Sequence, residues 1–332
     1  MRRPLLALIA LTLVAAACGD DAATTTTTVA TTTTTVAATT TTTTVAETTT
    51  SAPTTTTTVA AFPVTVLGAT VETEPQAIVS LSATHTEILY AVGAGDRVVA
   101  TDLFSDFPAA AADTEKIDSF SLNVEAVADL DPDLVLLAFD PGDAVDGFAA
   151  LGIPAVLFPA PTDLDAAFEQ WLQVGALTGT TATAEGLVEA VRAEIADIQA
   201  DLPRPDQAPT YYHELDPTLF TVTSETFVGA VYAAAGMENV ADPADESGFG
   251  YPQLSAEFLL ETDPDYVFLA DSLCCDVTPA SFAERPALGA LTAVEEGRVI
   301  PLDDSVASRW GPRLVDFLRT VVVAVYPTAF GE

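Results

Sequence analysis

The chain has 332 residues, of which 49% are hydrophobic, and its formal net charge is −37. So acidic a surface repels nucleic-acid phosphates and anionic lipid headgroups, which excludes nucleic acid as a partner. Chain length and apolar content suit two lobes or one large α/β domain.

The first residues carry the pattern of an export signal. Arg2 and Arg3 precede an apolar run, residues 5–17, which is too short to span a membrane comfortably. Its last three residues are alanines directly before Cys18, an order that resembles a bacterial lipobox, in which the cysteine is acylated. We therefore predict that residues 1–18 form a lipoprotein signal peptide ending at lipidated Cys18. The alternative is an ordinary cleaved signal peptide with an incidental cysteine.

Residues 19–60 are almost entirely Thr, Ala and Val, with five threonine blocks. Such a segment has too few large apolar side chains to offset its own ordering entropy, and β-branched Thr favours an extended chain. We predict a disordered Thr-rich stalk between a lipid anchor and the folded region. The alternative is a spacer without a function of its own. The composition leaves O-glycosylation open.

Residues 61–162 alternate buried strands with helical patterns. Strands are predicted at 77–81, 97–101, 134–138 and 155–158, with helices that begin near Thr86, Val124 and Asp143. This βαβ alternation predicts a parallel sheet covered by helices on both faces, which we interpret as an N-terminal lobe.

Residues 163–203 are helical, and residues 204–332 repeat the alternation. The helices of the middle region are predicted at 164–177 and 182–202, and prolines at 203, 205 and 209 stop the second one. In the last region we predict strands at 210–215, 266–270 and 298–301, and helices at 226–235, 255–261 and 312–325. The predicted fold is therefore α/β: two Rossmann-like lobes with parallel sheets, joined by a long α-helix, with a ligand cleft between them.

Several segments together resemble one family. Residues 78–89 (IVSLSATHTEIL) and 92–99 (VGAGDRVV) resemble the opening strand, loop and helix of the helical-backbone periplasmic binding proteins. The repeated Asp-Pro-Asp segments at 131–135 and 263–267 resemble the strand entry of each lobe, and Trp310-Gly311-Pro312-Arg313-Leu314 resembles the start of the last helix. The family serves importers of cobalamin, ferric siderophores and haem, and the chain most resembles its cobalamin-binding members.

The resemblance implies an aromatic cleft. Residues 104–108 (FSDFP) match a loop that points Phe104 at the ligand, and Phe120 falls near a second aromatic position. In the second lobe Phe220 and Tyr251 match ligand-facing aromatic residues, and Arg309 matches a polar cleft residue. Aromatic walls suit a large flat macrocycle. The alternative for each aromatic side chain is core packing.

The sequence contains two histidines. His85 follows the first predicted strand, and His213 ends the first strand of the second lobe, so we predict that both face the cleft. Each could contact the ligand or bind its metal axially, since imidazole is a good ligand for cobalt and iron. The alternative is a buried, hydrogen-bonded histidine. Tyr212 and Glu214 are further candidates for ligand contact.

Two of the three cysteines are adjacent, Cys274 and Cys275. Outside the cytoplasm they could close a vicinal disulfide, although the eight-membered ring distorts the peptide. Two free thiols are the alternative, and metal ligation is a third.

The family resemblance also assigns an exposed glutamate in each lobe to docking on the permease. The matching residues are Glu125 and Glu257, each just after a predicted helix N-cap, at Asn123 and Ser255. The helix dipole alone also favours a carboxylate there, which is the alternative.

The sequence has no Walker loop, no Gly-x-Ser-x-Gly elbow and no His-Glu-x-x-His pair, so we predict that the protein is not an enzyme and needs no cofactor. The resemblance implies a monomeric extracytoplasmic component of an ABC importer. Its partners are the permease with its ATPase and a metal-containing small molecule, and it meets the membrane only through lipid. Cobalamin or a related corrinoid leads, a ferric siderophore or haem is the alternative, and a stalked surface-interaction lipoprotein is a distant one.

Overall fold

The structure is a computed structural model that describes residues 62–329. The predicted signal peptide, the lipidation residue Cys18 and the predicted stalk at 19–60 lie outside the described residues. Within the described range, no helix is both long enough and apolar enough to cross a bilayer.

The described chain begins with a short antiparallel hairpin, β1 (Val64–Val66) and β2 (Ala69–Val71). The first lobe then alternates strands and helices: β3 (Ile78–Leu81), α1 (Ala83–Ala91), β4 (Val98–Asp102), α2 (Ala109–Ala112), β5 (Glu115–Ile117), α3 (Val124–Ala128), β6 (Leu134–Leu137), α4 (Ala144–Ala150) and β7 (Ala155–Leu157). Its five strands form a parallel sheet in the order β5-β4-β3-β6-β7.

Two helices follow, α5 (Leu164–Leu177) and α6 (Thr181–Asp201). Asp163 caps α5 by accepting a hydrogen bond from the Ala166 amide. At 1.5 Å per residue, α6 is roughly 30 Å long, enough to run alongside both lobes. Near its end, Gln199 Nε2 donates to the Ala234 carbonyl in the second lobe.

The second lobe contains β8 (Thr210–Glu214), α7 (Phe227–Ala234), β9 (Glu238–Asn239), α8 (Ala256–Thr262), β10 (Tyr266–Leu269), α9 (Pro279–Ala283), α10 (Thr292–Glu295), β11 (Val299–Pro301), α11 (Asp304–Ala307) and α12 (Leu314–Val325). Its four strands form a second parallel sheet, in the order β11-β10-β8-β9. In each sheet the first strand in the chain, β3 or β8, lies between two later strands. The strand order therefore continues to both sides of it, which creates a topological switch point at its carboxyl end.

The core ties the lobes together. One continuous buried cluster contains side chains from both sheets, such as Leu136 and Phe268, and from the helices between them, such as Trp171 and Val321. Two smaller clusters, one per lobe, fill the other face of each sheet. These clusters cover both faces of both sheets, so the side chains of each strand are buried whichever face of the sheet they project from.

The fold confirms the predicted α/β class with two parallel sheets. The strands and helices predicted from hydrophobic periodicity are present, with ends that differ by a few residues. The prediction missed the short helices α2, α9, α10 and α11, hairpin β1–β2 and strands β5 and β9. These strands are two or three residues long, and β5 and β9 carry polar side chains such as Glu115, Lys116 and Glu238. Pairing with a neighbouring strand defines them, and a local pattern cannot show it.

Candidate functional site

A cleft of about 840 Å³ lies where the carboxyl ends of the two sheets meet. On one side, Leu81, Asp102 and Ala138 end or follow β3, β4 and β6. On the other, Leu215 and Ala270 follow β8 and β10. Both switch points therefore open into one cavity, as the fold class predicts.

The first lobe presents three exposed phenylalanines to the cleft. Phe104, Phe120 and Phe139 are 54%, 66% and 37% exposed. The rings of Phe104 and Phe120 meet edge to face at 5.8 Å, and those of Phe120 and Phe139 stack at 5.0 Å. We call these three residues the aromatic wall. Phe104 and Phe120 lie where the resemblance implied. Phe139 was not predicted, although its place shortly after buried strand β6 is a signal for a residue at the cleft.

The second lobe presents mainly polar side chains. Asp303, Asp304, Ser305 and Ser308 line the cleft beside Leu273 and Cys274. Asp102 and Asp106 of the first lobe add two more carboxylates. Among the described residues that line the cavity, Arg309 carries the one cationic side chain. The cavity is therefore acidic as well as aromatic.

Arg309 is held by the first lobe. Its Nη1 donates to Glu87 Oε1 at 2.9 Å and to Asp106 Oδ1 at 2.8 Å, and its Nη2 donates to the Phe104 carbonyl at 2.8 Å. Only 11% of its side chain is exposed. Arg309 lines the cleft where the resemblance placed it, but its hydrogen bonds join the lobes, and this role was not predicted.

The structure contradicts the prediction that the two histidines face the cleft. Both are completely buried. His85 lies in the first turns of α1, where its Nδ1 is 2.9 Å from Ser82 Oγ and its ring stacks on Phe158 at 5.1 Å. His213 is 2.9 Å from the Tyr232 hydroxyl, inside β8. Burial lowers the pKa of His85 to about 4 and that of His213 to about 3, so both imidazoles are neutral. The reason is that helices cover both faces of each sheet, so a residue near a strand end packs under a helix.

Tyr212 is also buried, which contradicts the prediction that it contacts the ligand. Its hydroxyl donates to Glu214 Oε2 at 3.2 Å. Glu214 is itself buried, and Arg285 Nη1 lies 2.8 Å from both of its carboxylate oxygens. Burial is the largest cause that raises the pKa of Glu214, to about 7, and Arg285 opposes it. The neighbouring carboxylate of Asp271 is buried as well, and both of its oxygens lack a hydrogen-bond donor.

Phe220 and Tyr251 do not line the cavity. Phe220 is 39% exposed and pairs with Gln253 in an isolated antiparallel bridge. Tyr251 is half-buried against the main core, with the ring of Phe249 6.3 Å away. The structure therefore brings Phe104 and Phe120 of the first lobe together with Arg309, whereas the aromatic residues predicted in the second lobe lie elsewhere.

Cys274 and Cys275 are both exposed, and their thiols are free in the structure. Cys274 lines the cleft, and its amide donates to Asp304 Oδ2 at 2.9 Å. Partial desolvation of the thiol, followed by hydrogen bonds with Cys275 and Asp304, raises the pKa of Cys274 to about 12. Of the alternatives left by the sequence, the structure contains the free thiols.

Glu125 and Glu257 are exposed in the first turns of α3 and α8. Asn123 caps α3 by accepting from the Ala126 amide at 3.0 Å, and Ser255 caps α8 by accepting from the Phe258 amide at 3.1 Å. Both N-caps lie where they were predicted. Docking by the two glutamates stays a prediction.

Comparison with known proteins defines the class. Residues 78–306 match the family model for periplasmic binding proteins, and the chain belongs to this family. A relative from Halobacterium salinarum, a cobalamin-binding protein, is 31% identical over 81% of this chain and 75% of its own. An uncharacterised ABC transporter substrate-binding lipoprotein of Bacillus subtilis is 28% identical over 82% of this chain and 88% of its own.

Among solved structures, the periplasmic haem-binding protein of Roseiflexus sp. RS-1 in its apo form superposes with a TM-score of 0.68. It is 27% identical, over 76% of this chain and 99% of that one. The family consists of substrate-binding proteins, which confirms the prediction that the chain is not an enzyme.

Proposed function

We propose that the protein binds cobalamin or a related corrinoid in the interlobe cleft and delivers it to the permease of an ABC importer. The observation that carries this proposal is the contrast between the two sides of the cavity. The aromatic wall offers a broad apolar surface, and the opposite side offers carboxylate and hydroxyl acceptors. A corrinoid has a large macrocycle to place against aromatic rings and peripheral amides that donate hydrogen bonds.

The charge of the cavity favours a corrinoid over its rivals. Haem carries two propionates, and many ferric siderophores are anionic. Four aspartates line the cavity: Asp102, Asp106, Asp303 and Asp304. Like charges placed together oppose binding, and Arg309 is already paired with Glu87 and Asp106. A neutral or cationic ligand with amide donors suits this cavity better.

The metal of the ligand would keep the axial ligands that it brings. Both imidazoles are buried away from the cavity, and the buried Tyr212 hydroxyl is bonded to Glu214. A corrinoid with its own axial ligands needs no side chain to complete its coordination. The name of the Halobacterium relative supports this ligand, and that of the Roseiflexus structure supports haem as the second candidate.

The route of delivery belongs to the same proposal. Acylation at Cys18 would anchor the chain to the outer face of the cell membrane, and residues 19–60 would separate the binding region from the bilayer. The name of the Bacillus relative, a substrate-binding lipoprotein of an ABC transporter, supports both the anchor and the partner. The permease would receive the ligand, and its ATPase would drive import.

Ligand titration tests the proposal. The purified chain is titrated with cyanocobalamin, haem and a ferric siderophore, and affinity is measured by calorimetry. We expect cyanocobalamin to bind most tightly. Phe104→Ala should weaken that binding about 30-fold, because an aromatic anchor in an interface contributes about 2 kcal/mol.

Phe249→Ala is the matched control, since Phe249 is 80% exposed and does not line the cavity. Its affinity for cyanocobalamin should equal that of the wild type. Tight binding of haem or the siderophore with no binding of any corrinoid would overturn the assignment of the ligand.

A further inference from the structure

A buried ion-pair cluster joins the two lobes beside the cleft. Glu87, in α1 of the first lobe, has a side chain that is only 1% exposed. Arg313, at the start of α12, donates to Glu87 Oε1 from Nη2 at 2.6 Å and to Oε2 from Nε at 3.0 Å. Arg309 donates to Oε1 at 2.9 Å. One carboxylate therefore holds two guanidinium groups that lie more than 200 residues further along the chain.

The cluster continues into the loop that carries the aromatic wall. Arg309 also donates to Asp106 and to the Phe104 carbonyl, both at 2.8 Å. Arg313 lies over the ring of Phe107, 4.2 Å from its centroid. The two arginines thus contact the loop 104–107 at three points, and Glu87 holds both arginines.

The charges of the cluster balance, because two arginines face Glu87 and Asp106. A buried carboxylate that stays ionised is stabilised by paired, hydrogen-bonded cations, and removing its charge leaves those partner groups uncompensated. The hydrogen bond to Glu87 raises the pKa of Arg313, which therefore stays charged. The fit is close: a Cβ atom at Gly311 would lie 3.2 Å from Glu87 Oε2, so glycine lets the two lobes approach at this point.

We propose that Glu87 is a positioning residue for ligand binding, which fixes the aromatic wall against the second lobe through Arg309 and Arg313. Glu87 does not line the cavity, so it would act on the ligand only through other residues. It acts by holding Arg309 against the Phe104 carbonyl, so that the first lobe's aromatic rings and the second lobe's aspartates keep one separation. A cleft that is already ordered loses less entropy when the ligand binds. The nature of the ligand rests on the proposed function, whereas the order of the loop does not.

Hydrogen exchange on the full chain tests the order of the loop, and binding kinetics test its effect on the ligand. Glu87→Gln should speed amide exchange in segments 103–108 and 305–313 and leave strands β6 and β7 unchanged. Cyanocobalamin should dissociate about 10-fold faster with little change in its association rate, because a loosened cleft affects mainly the lifetime of a complex. Asp106→Asn should give the same pattern with a smaller change, since the Asp106 side chain is 65% exposed.

Arg319→Gln is the matched control. Arg319 lies in α12, the helix that Arg313 precedes, and pairs with Glu194 in α6. The substitution removes this ion pair, whose side chains are more exposed, at 53% for Arg319 and 36% for Glu194. It should change neither exchange at 103–108 nor the dissociation rate. If Glu87→Gln does not fold, Asp106→Asn decides the question by amide exchange at 103–108 alone, because Asp106 itself lines the cavity and its substitution could change the dissociation rate directly.

The outcomes distinguish the two proposals. Wild-type exchange at 103–108 in a folded Glu87→Gln or Asp106→Asn variant would overturn the positioning role, whatever the ligand is. Faster exchange together with an unchanged dissociation rate would also overturn it, since the order of the loop would then not matter for binding. Failure of the wild-type chain to bind any corrinoid would overturn the proposed ligand, and the exchange measurement would still test Glu87.

Discussion

Glu214 ends strand β8 with a buried carboxyl whose pKa lies near 7, against an ordinary value of 4.5. Between these two pH values the folded protein holds a proton that the unfolded chain has released. The contribution of Glu214 to stability is therefore complete below pH 4.5 and is lost as the pH rises through 7. His85 and His213 act in the opposite direction. Burial holds their pKa values near 4 and 3, so their contribution is lost as the pH falls below 6.5.

Glu214→Gln isolates the contribution of Glu214 to the pH dependence of stability. The variant keeps a polar group beside Tyr212 but cannot titrate. We expect the free energy of unfolding of the wild type, relative to the variant, to fall as the pH rises from 4.5 to 7, by at most about 1.4 kcal/mol per pH unit. Urea denaturation of both proteins at several pH values measures this difference. A difference that is flat across the window would mean that Glu214 ionises normally in the folded protein.

The same residues explain why single side chains were harder to place than strands. The segment 210–215 was recognised as a strand and helices were expected to cover its sheet, but the sequence could not tell that this cover extends to the carboxyl end of the strand. Tyr212 and His213, on opposite faces, were therefore expected at the ligand and are buried instead. Phe104 and Phe120, which the resemblance assigned to the cleft, do line it, because they lie in loops that the carboxyl edge of a sheet exposes.

Among the elements, the helices of the middle region were predicted best. The predicted span of α5 matches the structure, and α6 differs by one residue at each end. Both have long apolar periodicity and clear stop signals, which are local properties. Strands β5 and β9 are pairings between distant segments, so no local signal defines them. The close contact between α5 and α6 is also non-local, and it gives one glycine a specific role.

Gly175 in α5 faces α6 so closely that a Cβ atom there would clash with the Ala184 side chain. We expect Gly175→Ala to destabilise the protein by about 1–3 kcal/mol, the usual cost of overpacking a core. Gly186→Ala, in α6, is the matched control, because a Cβ atom there would meet no atom within 4 Å. It should stabilise the protein by about 0.5–1 kcal/mol, since alanine loses less backbone entropy in a helix. Urea denaturation should give the two variants opposite signs, and a loss of stability in both would contradict the assignment.

For the whole molecule, the sequence predicted two parallel sheets and a cleft at their carboxyl edges, because repeated βαβ patterns and the topology rule suffice for that. It did not predict how the lobes are joined beside the cleft. Glu87 and Arg309 are 222 residues apart, and neither lies in a pattern that indicates its partner. The long helix α6 was expected to be the connection. The structure adds the ion-pair cluster around Glu87 and a continuous core shared by both lobes.

Docking on the permease involves both lobes at once. We expect the double variant Glu125→Ala, Glu257→Ala to keep the corrinoid affinity of the wild type, because neither residue lines the cavity. Uptake of corrinoid by cells that carry the permease should be abolished or fall at least 10-fold. Charges at the rim of an interface set the orientation and the rate of encounter. Removing one from each lobe therefore leaves neither lobe with the charge that orients it on the permease.

Asp129→Ala with Glu261→Ala is the matched control, since these exposed residues lie at the opposite ends of the same two helices, α3 and α8. Both double variants remove two negative charges, so a loss of long-range attraction would slow uptake equally in the two. Loss of uptake in the Glu125→Ala, Glu257→Ala variant alone would locate docking at the N-termini of the two helices. Uptake that persists in the first variant would show that the permease recognises another surface of the protein.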